Sequence, residues 1–149
     1  FIAQKILNII KIILNKRVFI TQHLQRIRQF ISPSESIPAV GQGALGIEIL
    51  SDNKILTDLL SSLNDRDTAR CVLAERTVSR SLAGSCTVPL GAYASINNDT
   101  FTIKGFVAKP DGSEIIRAEK HGSKSDFYIL GEALSKTLIA KGAKKILSN

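Results

Sequence analysis

Thr87-Val88-Pro89-Leu90-Gly91-Ala92-Tyr93-Ala94-Ser95-Ile96 is the stretch on which the fold turns. Val88, Leu90, Ala92, Ala94 and Ile96 occupy every second position, the spacing of a strand with one buried face. The preceding run has a different period. Asn64 and Asp65 offer an N-cap, and Ala69, Val72, Leu73 and Val78 then supply the buried side of a helix that runs to about Leu82 and ends at Gly84. Downstream, Asn97-Asn98-Asp99 reads as a turn and Thr100–Ala108 as a second strand, with Gly105 a candidate bulge. Lys109-Pro110-Asp111-Gly112 is a turn, because proline presets φ and glycine accepts a positive one. Ser113–Lys120 reads as a third strand. Ser123 or Ser125 then caps a helix with Phe127, Leu130, Leu134 and Leu138 on one face, ending near Gly142. The expected fold class is therefore α+β. Residues 65–149 form a three-stranded antiparallel sheet covered by helices, preceded by a partial α/β segment.

The earlier residues hold less than a core's worth of elements. Residues 2–31 read as helix followed by a less regular stretch, and Ser32-Pro33-Ser34-Glu35-Ser36 as a loop. Ile37-Pro38-Ala39-Val40 is extended, since a residue before proline avoids the α region. Ile47–Leu50 reads as a strand. Ser51 or Asp52 caps a helix with a stripe of Ile55, Leu56, Leu59, Leu60 and Leu63. Helix, strand and helix are too little to close a core alone. The sequence contains no methionine, and it reads as a piece of something longer.

The formal net charge of +7 is unevenly placed. Residues 1–31 carry Lys5, Lys11, Lys16, Arg17, Arg26 and Arg28 with no acid, which leaves 14 basic residues to face 13 acidic ones in the rest. That near balance, with aromatics at only 5%, argues against a nucleic-acid partner. Phe1–Leu14 is too short and too charged to span a bilayer, so no membrane partner is expected. A basic amphipathic surface helix and a transit peptide are weaker readings than a neighbouring domain's helix cut at its start. Two cysteines exclude a disulfide scaffold and suit a reducing cytoplasm. His23 and His121 are far apart and no Cys or His pair has zinc spacing, so no metal is expected.

Gly41-Gln42-Gly43-Ala44-Leu45-Gly46 fits a dinucleotide fingerprint by letter. Its context does not: the run before it contains Pro38, and the run after it reads as strand instead of helix. The glycines read instead as a backbone crossing or a close ligand approach, with Gln42 the side chain suited to hydrogen-bond a ligand. Cys71 lies inside a helix and reads as structural. Cys86 lies in Gly84-Ser85-Cys86-Thr87-Val88-Pro89, a loop between helix and strand, where functional residues concentrate. It follows a helix C-terminus and has no histidine nearby in sequence, so nothing local lowers its thiol pKa. Glu75 and Arg76 read as a solvated helix face, with orientation of the loop or of an acidic ligand by Arg76 as the alternative.

Ile37 to Glu48, Ala74-Glu75-Arg76, Gly84 to Ala94 and Gly105 to Ser113, taken together and in order, resemble the porphobilinogen deaminase (hydroxymethylbilane synthase) family. The resemblance covers about Ile27 to the C-terminus, and residues 1–26 depart from it. It implies three parts: 1–36 as the tail of the family's second domain, 37–63 as a return segment into its first, and 64–149 as the cofactor-attachment domain. It implies a transferase of tetrapyrrole and heme biosynthesis that condenses porphobilinogen units with loss of ammonia, on a dipyrromethane cofactor held by a thioether. Cys86 matches the family's tethering cysteine. Gln42, Gly43, Arg76, Gly84 and Ser85 complete the expected cofactor-binding set. A soft sulfur nucleophile suits the electrophilic carbon left when porphobilinogen loses ammonia, and a tether retains the growing polypyrrole. The resemblance places the catalytic aspartate and most carboxylate-binding cations in an N-terminal half outside this sequence. It therefore implies no catalytic residue within this chain, and makes that half its partner. The alternative is a non-catalytic α+β module or enzyme relic that binds a partner through its basic N-terminal segment.

Overall fold

A computed structural model describes residues 6–10, 28–29, 31–82 and 89–147. Its described residues form two compact units: one holds β1 and Gly43–Ala69, the other Ser32–Gln42 and the residues from Arg70 onward.

In the first unit, β1 (Ile6–Ile10) pairs antiparallel with β2 (Leu45–Ile49), with Ile6 opposite Ile49 and Ile10 opposite Leu45. The helix expected over 2–31 is thus corrected at residues 6–10. Ile6, Ile9 and Ile10 are β-branched and favour extended backbone, and the β2 edge offers the pairing. The rest of that expected stretch lies outside the described residues, apart from Arg28, Gln29 and Ile31, none of which is helical. Helix α1 (Lys54–Ser61) follows. Its N-cap is Asn53, not Ser51 or Asp52: the Asn53 side chain accepts the Leu56 N–H at 3.0 Å. Asp65 then caps α2 (Arg66–Ser81) by accepting the Thr68 N–H at 2.7 Å.

The second unit contains most of α2 and a three-stranded meander. Strands β3 (Leu90–Asn97), β4 (Thr100–Ala108) and β5 (Ile115–Ser123) pair antiparallel in that order. The β3–β4 turn places Asn98 at φ 56°, and Gly112 N–H closes the next turn on the Lys109 carbonyl at 2.9 Å. A short 3₁₀ turn capped by Ser123 leads into α3 (Phe127–Ala140), and α4 (Ala143–Leu147) follows Gly142.

One face of this sheet carries the core. Ala92, Phe101, Ile103, Val107, Leu134 and Leu138 are completely buried there, with Ala74 and Val78 of α2. Cys71 and Val40 pack against the same cluster. Two expectations are corrected. Leu73 is exposed, and Ala74 with Glu75 takes the buried side of α2 in its place. Gly105 is not a bulge: it stays in register, opposite Ala92 and Ala118. A Cβ there would stand 3.2 Å from Leu134 Cδ2, so the missing side chain lets α3 sit close to the sheet. No described helix is long and apolar enough to cross a membrane.

Candidate cofactor-attachment site

Cys86, Gly84 and Ser85 lie outside the described residues, as does the Gly84 helix end. The elements on either side are defined: α2 ends at Ser81 and β3 starts at Leu90, with the Pro89 carbonyl accepting the Ala108 N–H at 2.9 Å. Gly91 follows, opposite Phe106. A Cβ on Gly91 would collide with the Phe106 ring and lie 2.9 Å from the Pro38 carbonyl oxygen. The absent side chain therefore lets the Ile37-Pro38 segment lie directly on the sheet.

That segment ends in a β-turn. Gln42 N–H reaches the Ala39 carbonyl at 3.1 Å, and Gly41, third in the turn, has φ +71°. This conformation selects glycine. Gly43 also has positive φ, +86°, and β2 opens two residues later. A strand follows the glycines, as the sequence indicates, which removes the helix N-terminus that a dinucleotide cradle requires. Gln42 is exposed.

Glu75 corrects the expectation of a solvated helix face. It is only 5% exposed, and both carboxylate oxygens are engaged. One accepts the Gly41 N–H at 2.7 Å, the other the Ala94 N–H at 2.8 Å. Burial pushes its pKa up, and the Ala94 and Gly41 hydrogen bonds pull in the other direction. Its burial was readable in part: Glu75 lies three residues from both Val72 and Val78, on the apolar stripe of α2. Arg76 is half-buried and Arg80 exposed; neither makes an ion pair with a described acid.

A cavity of about 400 Å³ was not foreseen. It lies between Ser34–Ile37 and the sheet face away from the helices, beside Lys104, Phe106 and Arg117. Its charges offset one another: Glu35 and Glu119 line it too, and Lys104 stands 3.5 Å from Glu119. Among the described residues no cluster of His, Cys, Asp or Glu could hold a metal.

Two described polar groups of the expected cofactor-binding set have defined surroundings, Gln42 and Arg76. Gln42 is an exposed amide on the glycine turn, and Arg76 is a half-buried guanidinium with no described acidic partner. Residues 69–140 match the family model for the porphobilinogen deaminase C-terminal domain. The chain is homologous to the C-terminal region of porphobilinogen deaminase. The deaminase of Thiobacillus denitrificans is 52% identical over 122 residues, 82% of this chain and 40% of its own length. That of Bordetella parapertussis is 48% identical over 123 residues, 83% of this chain and 39% of its own. The Methylobacillus flagellatus deaminase is 52% identical over 123 residues, 83% of this chain and 40% of its own. The chain thus spans about 40% of the length of the curated porphobilinogen deaminases it matches.

Proposed function

We propose that this chain is the cofactor-bearing part of a hydroxymethylbilane synthase, with Cys86 as the covalent attachment point of dipyrromethane. The observation that carries this reading is the identity of about half over more than four-fifths of the chain to porphobilinogen deaminases. When bound, dipyrromethane supplies the pyrrole carbon to which successive porphobilinogen units add. The chain's own residues hold and orient. The Cys86 sulfur provides the thioether, and a reducing cytoplasm keeps it available as a thiol. Arg76 offers a cation to the carboxylates of a pyrrole chain, and Gln42 offers an amide. Gly43 supplies backbone that a ligand can approach closely, and Gly84 and Ser85 precede Cys86 directly in the sequence. The domain reading stays as the resemblance gives it: residues 64–149 attach the cofactor, 37–63 belong with the family's first domain, and 1–36 end its second. Ammonia loss and substrate clamping belong to residues beyond this chain's share of the family's length.

The test mixes the chain with the N-terminal part of the Thiobacillus denitrificans deaminase and porphobilinogen, followed by intact-mass measurement and peptide mapping. An adduct on Cys86, absent from Cys86→Ser, is the expected result. An adduct on Cys71 instead, or none at all, overturns the reading.

A further inference from the structure

The sheet face away from the helices carries the side chains that alternate with those of the core. Lys104 and Phe106 of β4 share it with Ile115, Arg117, Glu119 and His121 of β5. The register sets Phe106 opposite Arg117 and Lys104 opposite Glu119. The cavity of about 400 Å³ lies between these residues and Ser34–Ile37, within the second unit. That volume falls in the range of small-molecule sites, roughly 300–1,000 Å³. Ile37, Phe106 and Ile115 give it apolar walls.

The charges around the cavity decide what it can take. Lys104 and Arg117 balance Glu35 and Glu119 in number, so no net field favours a polyanion. Three of the four are engaged within the chain. Glu119 Oε1 lies 3.5 Å from Lys104 Nζ and 3.2 Å from His121 Nε2. Glu35 Oε2 accepts the Ser32 N–H at 3.0 Å and the Ser32 hydroxyl at 2.9 Å. The Arg117 guanidinium bonds to no described residue; only its backbone carbonyl is used, by Lys141 Nζ at 2.8 Å. A planar fork of donors beside an aromatic ring and two aliphatic side chains matches one carboxylate on an apolar body.

We propose that this cavity binds a small aromatic monocarboxylate, its carboxylate paired with Arg117 and its ring among Phe106, Ile37 and Ile115. None of these residues belongs to the expected cofactor-binding set, so the proposal does not depend on the role of Cys86.

Amide spectra of the full ¹⁵N-labelled chain test it, during titration with hydrocinnamate and with hydrocinnamide, its uncharged isostere. Saturable shifts confined to Ser34–Ile37 and to the strands around Phe106 and Arg117 are expected at about millimolar hydrocinnamate. The amide should bind about tenfold more weakly or worse, because it loses the charge-assisted pair. Arg117→Gln should weaken hydrocinnamate by a similar factor and close the gap between the two probes. Lys120→Gln, on the opposite face of the same strand, should change neither. Inorganic phosphate at the same concentration should leave the cavity resonances in place. Equal binding of acid and amide, shifts centred outside the cavity, displacement of hydrocinnamate by phosphate, or parent-like affinity in Arg117→Gln overturns the proposal. The two-probe comparison uses the parent chain alone, so it decides the matter even if Arg117→Gln does not fold.

Discussion

In α3, Leu134 and Leu138 are completely buried against the sheet, whereas around α1 Ile55, Leu59 and Leu63 are 82%, 67% and 50% exposed. The two stripes look alike as sequence. Each repeats apolar residues at three- and four-residue intervals, so each identifies a face that favours burial. The covering element is what differs. β4 supplies it for α3 through Phe101, Ile103 and the side-chain-free Gly105. No described residue does so for the α1 stripe.

The contrast makes unequal predictions. Leu134→Ala should cost about 2–5 kcal/mol of the second unit's stability, since it opens a cavity in a packed core. Urea unfolding, followed by the near-ultraviolet signal of Tyr93 and Tyr128, measures it. A loss below about 1 kcal/mol would mean that this core is far looser than its burial implies.

A smaller effect should be seen at Glu75. Burial raises its pKa in the fold, so the folded state keeps a proton that the unfolded chain has already released. Its contribution to stability is therefore fully present below the ordinary value of 4.5 and is lost as pH rises through the raised one. Urea midpoints collected at rising pH should fall across that window in the parent but not in Glu75→Gln. Parallel curves for the two proteins would contradict this account of the carboxylate.

The smallest effect belongs to α1. Ile55→Ser should leave the second unit's stability within about 0.5 kcal/mol, because an exposed side chain loses no packing. It should lower self-association, measured by sedimentation, because exposed apolar faces associate. Destabilisation as large as that of Leu134→Ala would show that the stripe is already covered.

The same comparison explains what could be read from the sequence. The period switch and the Pro110-Asp111-Gly112 turn are local signals, and β4 falls on Thr100–Ala108 as read, whereas Ser123 caps the 3₁₀ turn and Asp126, with no side-chain cap bond, precedes α3. The β1–β2 pairing joins residues about forty positions apart, and no local signal marks such a partner. Gly105 reads as a bulge from the sequence, and only the position of Leu134 shows that it serves a close approach of α3 instead. A charged residue next to an arginine suggests solvent, whereas the place of Glu75 on the apolar stripe of α2 points to the burial it has. Gly41 and Gln42 were legible as a special backbone segment; the carboxylate that holds Gly41 was not, because it lies 34 residues away.

Porphobilinogen turnover tests the central claim most directly, measured for the chain alone, then with the N-terminal part of the Thiobacillus denitrificans deaminase, then with Cys86→Ser and Cys71→Ser in that mixture. The account predicts no hydroxymethylbilane from the chain alone and formation in the mixture. Cys86→Ser should abolish it and Cys71→Ser leave it nearly intact, because Cys71 packs against the core within α2. Turnover by the chain unaided, or inactivation by Cys71→Ser with Cys86→Ser active, would contradict it.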